Sequence, residues 1–557
     1  MALTTASPAT AQYFKRIFNV PTFLEQERGN AMAIDKDGNT LITGSFMDNI
    51  NLDPLQKATP LTSSGGNDIF IAKYNNQGIL LWAVSFGGDD DDDGKAIALD
   101  ASGNVYITGY VGDAIVDFDP STKTVSYPAL GGKDIFVSKF SSSGVHQWST
   151  RMGGLYDEEG NGVALDKSSN VYTVGYFRSS DADFNTKGTP SLLTPVGLDD
   201  VFFTKHTTAG SYQWAGSVGS NLPDVATCIS VDKNSYLYIG GYFQGQNVEF
   251  NPATTGYSID SYGGEDAFVL KLTPSGGYQW VIGVGGTSND RCKAICFDST
   301  GNFYITGSFR SSNADFNPSG GTKRHTPSGF EDAFVAKYKP TGGFLNSFAF
   351  GGNLSDNCTS IASDKNGSIY ITGFFTGENV DFDPGVGTRR LSAALGQDCY
   401  IAKYTSAGVL DWCYNLEATN SSEGTAIGID KQLNLSVMGK FGGNAKFDSE
   451  NSSFITQSDQ DLQDIFLLSL LGAKVGVSDI PATQQLSCYP NPAHEKITIS
   501  GINSAHSSAT IIDALGIRRK TLELNSRTVD IMDLTSGAYS IIINDDTNTN
   551  SINFIKY

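Results

Sequence analysis

The sequence predicts an all-β protein: a seven-bladed β-propeller closed by an N-terminal strand, followed by a small C-terminal β-sandwich. Three observations carry that prediction. An aspartate recurs as Asp35, Asp100, Asp166, Asp232, Asp298, Asp364 and Asp430, with a first step of 65 residues and every later step 66. A glycine keeps the same beat at Gly44, Gly109, Gly175, Gly241, Gly307, Gly373 and Gly439. A third series, Asp68, Asp134, Asp200, Asp266, Asp332, Asp398 and Asp464, opens an apolar stretch in every unit. A fixed period containing several short strands per unit is the pattern of a radial or stacked repeat.

The second unit shows why four strands are expected. Lys95 to Asp100 is a short apolar strand, a, and a turn through Gly103 leads to strand b, Val105 to Tyr110. Gly103 suits the positive φ of such a hairpin, and Asp100 can accept hydrogen bonds from the turn amides. A loop of more than twenty residues precedes strand c, Asp134 to Phe140, and a short turn at Gly144 gives strand d, Val145 to Arg151. Strand d carries Trp82, Trp148, Trp214, Trp280 and Trp412, with Asn346 in the fifth slot. Aromatics on a repeat beat are expected to fill the space between neighbouring sheets.

Strands a, b and c occur seven times, but only six strands d follow them. Tyr13 to Val20 precedes the first strand a, in the register of a strand d, and is expected to complete the seventh sheet and close the ring. The propeller is therefore placed at 13–471, after a tail at 1–12, and a linker containing Pro481 spans 472–486.

Because strands alternate in direction, the long b–c loops and the d–a loops emerge on one face. Loops on a rigid scaffold are where binding usually resides. That rim repeats an acidic tag, Asp117/Asp119, Asp183, Glu249, Asp315 and Asp381/Asp383, and these carboxylates are the candidate ligand-binding residues. The first unit keeps Asp53 and the last Asp448.

Residues 487–557 alternate apolar and polar positions over Lys496 to Ser500, Ala509 to Asp513, Val529 to Met532, Ala538 to Ile543 and Asn553 to Tyr557. They read as a small sandwich with its own core. The propeller units, with GNVYITG, DFDP and DIFVSKF in series, resemble the bacterial seven-bladed SBBP repeats. The C-terminal segment is similar to the type A sorting domain of the type IX secretion system. The similarity lies in Tyr489-Pro490-Asn491-Pro492, Asp513-Ala514-Leu515-Gly516, Leu534 to Tyr539 and Phe554-Ile555-Lys556-Tyr557. That resemblance implies export through the periplasm, recognition of residues 487–557 by the secretion machinery, and an extracellular or cell-surface destination. Ala9-Thr10-Ala11 before Gln12 then reads as the small-residue end of a signal peptide whose apolar part is not in this sequence. The propeller family implies a fold and not an activity.

Composition narrows the partners. A net charge of −21 and a pI near 4.6 argue against nucleic acid, whose phosphates would be repelled. No apolar run approaches the ~18 residues of a membrane span. Catalytic signals are weak: five histidines, none beside a nucleophile elbow, and acidic residues that recur in most blades where a catalytic pair would break the symmetry. Seven cysteines include no C-x-x-C pair, so zinc is not indicated. Cys399 and Cys413 are equidistant from Ser406 and are expected to oppose each other across a hairpin, as a candidate disulfide. Asp89, Asp91 and Asp93 before Gly94 reproduce the opening of a calcium loop, with Asp100 at its twelfth position, and are the candidate cation site. The functional expectation is a secreted, non-catalytic propeller that binds a glycan, surface polymer or protein through its long-loop face. A surface hydrolase or lyase and a passive surface-structural protein are the alternatives.

Overall fold

A computed structural model describes residues 13–20, 27–53, 60–112, 115–251, 256–318, 320–449, 452–457 and 463–471 of the first unit. In the second it describes 487–489, 495–500, 508–513, 518–523, 528–535, 537–544 and 549–556. The tail at 1–12, the linker at 472–486 and parts of the sorting motifs lie outside the described residues. The chain divides into two compact units, Met1–Ala473 and Lys474–Tyr557.

The first unit is a ring of seven four-stranded antiparallel blades, and every described element is a strand. In the second blade, Asp93–Leu99, Val105–Val111, Asp134–Phe140 and His146–Met152 pair in the order a-b-c-d. Strands b and c are buried at all seven positions, because each lies inside its sheet and is covered on both faces by neighbouring blades. Their side chains accordingly run apolar almost without interruption.

The seventh blade joins the two ends of this unit. Ser421–Ile429, Leu435–Gly442 and Gln463–Leu471 supply three strands, and Tyr13–Val20 pairs with the third, from Tyr13 against Leu471 to Val20 against Ile465. The N-terminal strand therefore covers what would otherwise be an open edge.

The repeated Asp of the a–b turn holds that turn closed. Asp100 Oδ1 accepts from the amides of Ser102 (2.9 Å) and Asn104 (3.0 Å), and Oδ2 from Asn104 Nδ2 (2.8 Å). Asp35, Asp166 and Asp430 repeat all three bonds. On the same face the tryptophans tie blade to blade. Trp82 Nε1 donates to Ser142 O (3.1 Å) and Trp148 Nε1 to Thr208 O (3.0 Å), each in the c–d turn of the next blade. Gly210 in that turn has φ +79°, and a Cβ there would stand 2.6 Å from the Trp148 ring.

The expected Cys399–Cys413 pairing is not found. Cys399 pairs with Leu416 and Cys413 with Ala402, because the turn centres one residue later than expected and a bulge follows between Lys403 and Tyr404. The two thiols consequently face opposite sides of the sixth blade, Cys413 toward the fifth and Cys399 toward the seventh, and both are free.

In the second unit, Ser487–Tyr489, Lys496–Ser500 and Thr528–Asp530 form one sheet. Arg518–Glu523, Ser508–Asp513, Gly537–Asn544 and Thr549–Lys556 form another, in that order. Strand Arg518–Glu523 carries charge at four of its six positions, which hid it from an apolar-alternation reading. Ile497, Ala509, Ile511, Val529, Ile531 and Ile541 are buried.

Candidate functional site

On the b–c face the acidic tag folds as a small hairpin anchored by its phenylalanine. In the second blade Val116–Asp117 pairs with Ser126–Tyr127, and Phe118 is fully buried against Phe86, Phe136 and Tyr127. Phe184, Phe250, Phe316 and Phe382 are buried likewise. The acid beside each phenylalanine closes the hairpin. Asp117 Oδ1 accepts from the amides of Asp119 (3.1 Å) and Val125 (2.8 Å). Asp183, Asp315 and Asp381 make the equivalent pair of bonds, and Glu249 reaches the amides of Asn251, Gly256 and Tyr257. The hairpins also bridge blades: Gly153, Gly219, Gly285 and Gly351, at the ends of strands d, pair with Asp183, Glu249, Asp315 and Asp381 of the following blade. Asp119 and Asp383 cap the next turn, through the amides of Ser121 and Gly385. The tag is thus first a folding device.

In the seventh unit the hairpin is longer, Asn444–Ser449 with Ser452–Gln457, and joins strand d of the sixth blade to make a six-stranded sheet.

Beneath the rim lies a second ring of carboxylates that pattern reasoning missed. Glu27, Asp92, Glu158, Asp224, Asp290 and Asp356 recur at the start of strand a with the same 65- and 66-residue steps, and Ser422 takes the seventh place. That period was the available signal. Asp92, Glu158, Asp224, Asp290 and Asp356 face the strand-c aspartate of the preceding blade: a Cβ on Gly285 would be 2.7 Å from both Asp266 Oδ1 and Asp290 Oδ2. The strand-a acid is held by amides, as Asp224 is by Ser220 (2.6 Å) and Gln244 (3.0 Å). The strand-c acid receives one amide on Oδ2, from the residue four before it, while Oδ1 of Asp68, Asp200, Asp266 and Asp332 meets no donor among the described residues. Burial pushes Asp68, Asp200 and Asp332 up to about 6, Asp92, Asp224 and Asp356 to about 7, and Asp266 to about 8. The facing carboxylate adds to burial at Asp92, Asp224, Asp266 and Asp356, so the site favours the neutral acid.

The candidate calcium loop does not assemble. Asp91 Oδ1 accepts from Asn67 N (3.0 Å) and Nδ2 (2.8 Å), and these bonds, the amide's first, hold its carboxyl below the usual range. Asp93 turns instead to Asn30 Nδ2 (2.6 Å) and Lys95 Nζ (2.9 Å), and Asp89 is exposed. Asp93–Leu99 is an extended strand, so Asp100 sits roughly 20 Å away at the opposite face. Among the described residues no three His, Cys, Asp or Glu side chains gather as a metal set.

Between the rim hairpins of the fourth and fifth blades there is an open cleft of about 810 Å³. Tyr262, Asp260, Asn313, Asp315, Asn317 and Arg324 contribute to its wall. Of the acids named from sequence, Asp315 alone lines it. Tyr262 is 72% exposed, an aromatic face presented to solvent above polar groups. The same face shows exposed apolar side chains at Tyr156, Val196, Leu198, Phe330 and Leu354, on the second to fifth blades.

Comparison with known proteins agrees with the division into two units. Residues 487–557 match the family described as a secretion system C-terminal sorting domain. Over 75% of its length the chain is 22% identical to an uncharacterized WD repeat-containing protein of Acanthamoeba polyphaga mimivirus. Over 70% it is 24% identical to regulatory protein FlaEY of Caulobacter vibrioides. It spans 35% and 40% of those two relatives' lengths. Among solved structures it is similar to a chain of the mitotic checkpoint complex (8% identity, TM-score 0.40, 85% of this chain and 99% of that one). It is also similar to PorZ, an essential bacterial surface component of the type-IX secretion system of Porphyromonas gingivalis (13% identity, TM-score 0.24, 95% and 82%). No helix among the described residues is long and apolar enough to cross a membrane. The chain is a seven-bladed β-propeller carrying at residues 487–557 a secretion system C-terminal sorting domain, which sends it by type IX secretion to the cell surface or extracellular space.

Proposed function

We propose that the ring, whose motifs resemble SBBP repeats, is a non-catalytic module that binds a surface glycan in the cleft between its fourth and fifth blades. The observation that carries this reading is the cleft itself. Its volume lies in the range of small-ligand sites, and it combines one exposed aromatic ring with amide, carboxylate and guanidinium groups. A sugar ring has an apolar C–H face that stacks on an aromatic and hydroxyls that both donate and accept, so this mixture suits it. Asp315 and Asp260 already accept backbone amides, from Asn317 and Lys323 and from Asn247, which favours holding a ligand over moving protons.

The test is a screen of the full chain against soluble bacterial polysaccharides, with product analysis beside binding. Saturable binding without product is expected. Tyr262→Ala and Arg324→Ala should each weaken it at least tenfold, while Tyr156→Ala, outside the cleft, should not. Turnover would replace this reading with the hydrolase or lyase. Binding untouched by both cleft substitutions would refute the cleft. A second reading, docking of a protein, is favoured by the aliphatic side chains of Val196, Leu198 and Leu354 on the same face, and pull-down by that face with no response to sugars would select it.

A further inference from the structure

The junction between the fourth and fifth blades departs from its repeat at three places at once. Where strand b of each blade meets strand a of the next, the b-strand residue is Thr43, Thr108, Val174, Thr306, Thr372 or Met438, and in the fourth blade it is Gly240. The a-strand residue it faces is Gly29, Gly94, Gly160, Ala226, Cys358 or Gly424, and in the fifth blade it is Cys292. Two residues after the first of these a-strand seats, where other blades have Ala, Gly or Ser, the fourth blade has Cys228.

These departures are complementary. Cys228 pairs with Gly240 across the a–b ladder of the fourth blade, and Cys292 lies on the facing strand of the fifth. A Cβ on Gly240 would stand 2.8 Å from Cys292 Sγ and 2.9 Å from Cys228 Sγ. A threonine there, as in four other blades, would have no room. The missing side chain of Gly240 leaves the space that the two sulfurs fill, so both thiols crowd the same point at the junction.

We propose that Cys228 and Cys292 form an inter-blade disulfide in the exported protein. Its destination is a compartment where disulfides persist. A thiolate at Cys228 attacks the sulfur–sulfur bond of an exchange partner, an oxidised dithiol protein or small-molecule disulfide, releasing one partner thiolate. Cys292 then loses its proton, displaces the remaining partner sulfur and closes the new bond. Two protein thiols are oxidised, their two protons pass to the two departing partner sulfurs, and one partner disulfide is reduced to two thiols. The neighbouring Cys292 thiol holds Cys228 below its usual range, while Cys228 and burial hold Cys292 well above it, so Cys228 is the attacking group. The bond would staple the innermost strands of adjacent blades, and it closes a long loop of the unfolded chain.

The test uses the full chain, refolded with oxidised glutathione, then denatured, alkylated and mapped by mass spectrometry with and without prior reduction. Without reductant, two fewer thiols should react than the seven counted after reduction, and the linked peptides should contain Cys228 and Cys292. Reduction should lower the melting temperature of the parent but not of Cys228→Ser. Cys399→Ser should leave the link intact. If Cys228→Ser fails to fold, the map of the parent still decides. Alkylation of both Cys228 and Cys292 without reductant, or a link joining either to another cysteine, overturns the proposal.

Discussion

Replacing Asp332 by Asn should stabilise the propeller at high pH and leave it nearly unchanged at low pH. Asp332 begins strand c of the fifth blade, is 2% exposed, and accepts the Ser328 amide on Oδ2 at 2.9 Å. Its Oδ1 meets no donor among the described residues and faces Asp356 across the junction, with Gly351 between them. Burial pushes the Asp332 carboxyl up to about 6 and that of Asp356 to about 7, the latter further raised by Asp332. A carboxyl whose pKa is higher folded than unfolded binds its proton more tightly in the folded state. Its contribution is therefore full below about 3.8 and is lost as pH rises through about 6. Asparagine keeps the shape, stays neutral and supplies an N–H to Asp356 at every pH. A rise of about two pKa units corresponds to about 3 kcal/mol as an upper value, expressed above pH 7. In a chain of this size that is a gain of a few degrees. Melting curves of parent and Asp332→Asn from pH 4 to pH 8.5 should converge at the acid end and separate above pH 6. A variant that melts below the parent at pH 8, or by the same margin at every pH, would refute the raised Asp332 carboxyl.

Further outcomes follow from the same geometry. Deleting residues 11–20 uncovers the edge of Gln463–Leu471, so the product should melt lower and form larger species by size exclusion; a monomer that melts like the parent would exclude closure by that strand. Gly210→Ala should lose about 2 kcal/mol, since it combines φ +79° with a Cβ 2.6 Å from Trp148, whereas Gly343→Ala, whose nearest neighbour would be 3.6 Å away, should lose far less. Millimolar calcium should leave the melting temperature unchanged, because Asp91 and Asp93 serve different partners. A rise abolished by Asp91→Asn with Asp93→Asn would restore them as cation ligands.

What was legible in the sequence is what repeats. The Asp100 and Asp134 series, the closing strand and the strand c boundaries follow from the period, because each blade must bury the same faces against its neighbours. Where one extra residue slips into a ladder, period alone misleads. The bulge after Lys403 turned an expected Cys399–Cys413 pair into two thiols on opposite faces. The carboxylate pairs escaped notice although Asp92 and Asp224 keep the beat, since the partner of each lies in another blade and only the ring brings them together. The cleft escaped for the same reason: Tyr262 and Arg324 belong to different hairpins, 62 residues apart in the chain.

The seat four residues before the strand-c aspartate shows how one position can fix the fold and leave its side chain free. Ser64, Leu130, Val196, Tyr262, Ser328 and Ala394 occupy it, and the backbone amide of every one donates to its aspartate at 2.8 to 3.1 Å. That bond needs no particular side chain, so the main chain is fixed in each blade while the side chain is left open to vary. The side chains do vary, and Val196 and Tyr262 stand mostly in solvent. At the tag the constraint runs the other way: the carboxylates of Asp117, Asp183, Asp315 and Asp381 are themselves the turn acceptors, so their identity is held by folding. A propeller that discriminated among surface polymers, as proposed, would read them with positions that folding leaves free. The repeated acids are therefore the frame of the rim, and under the proposed glycan reading the unrepeated side chains set between them, Tyr262 first, are the ones that would carry specificity.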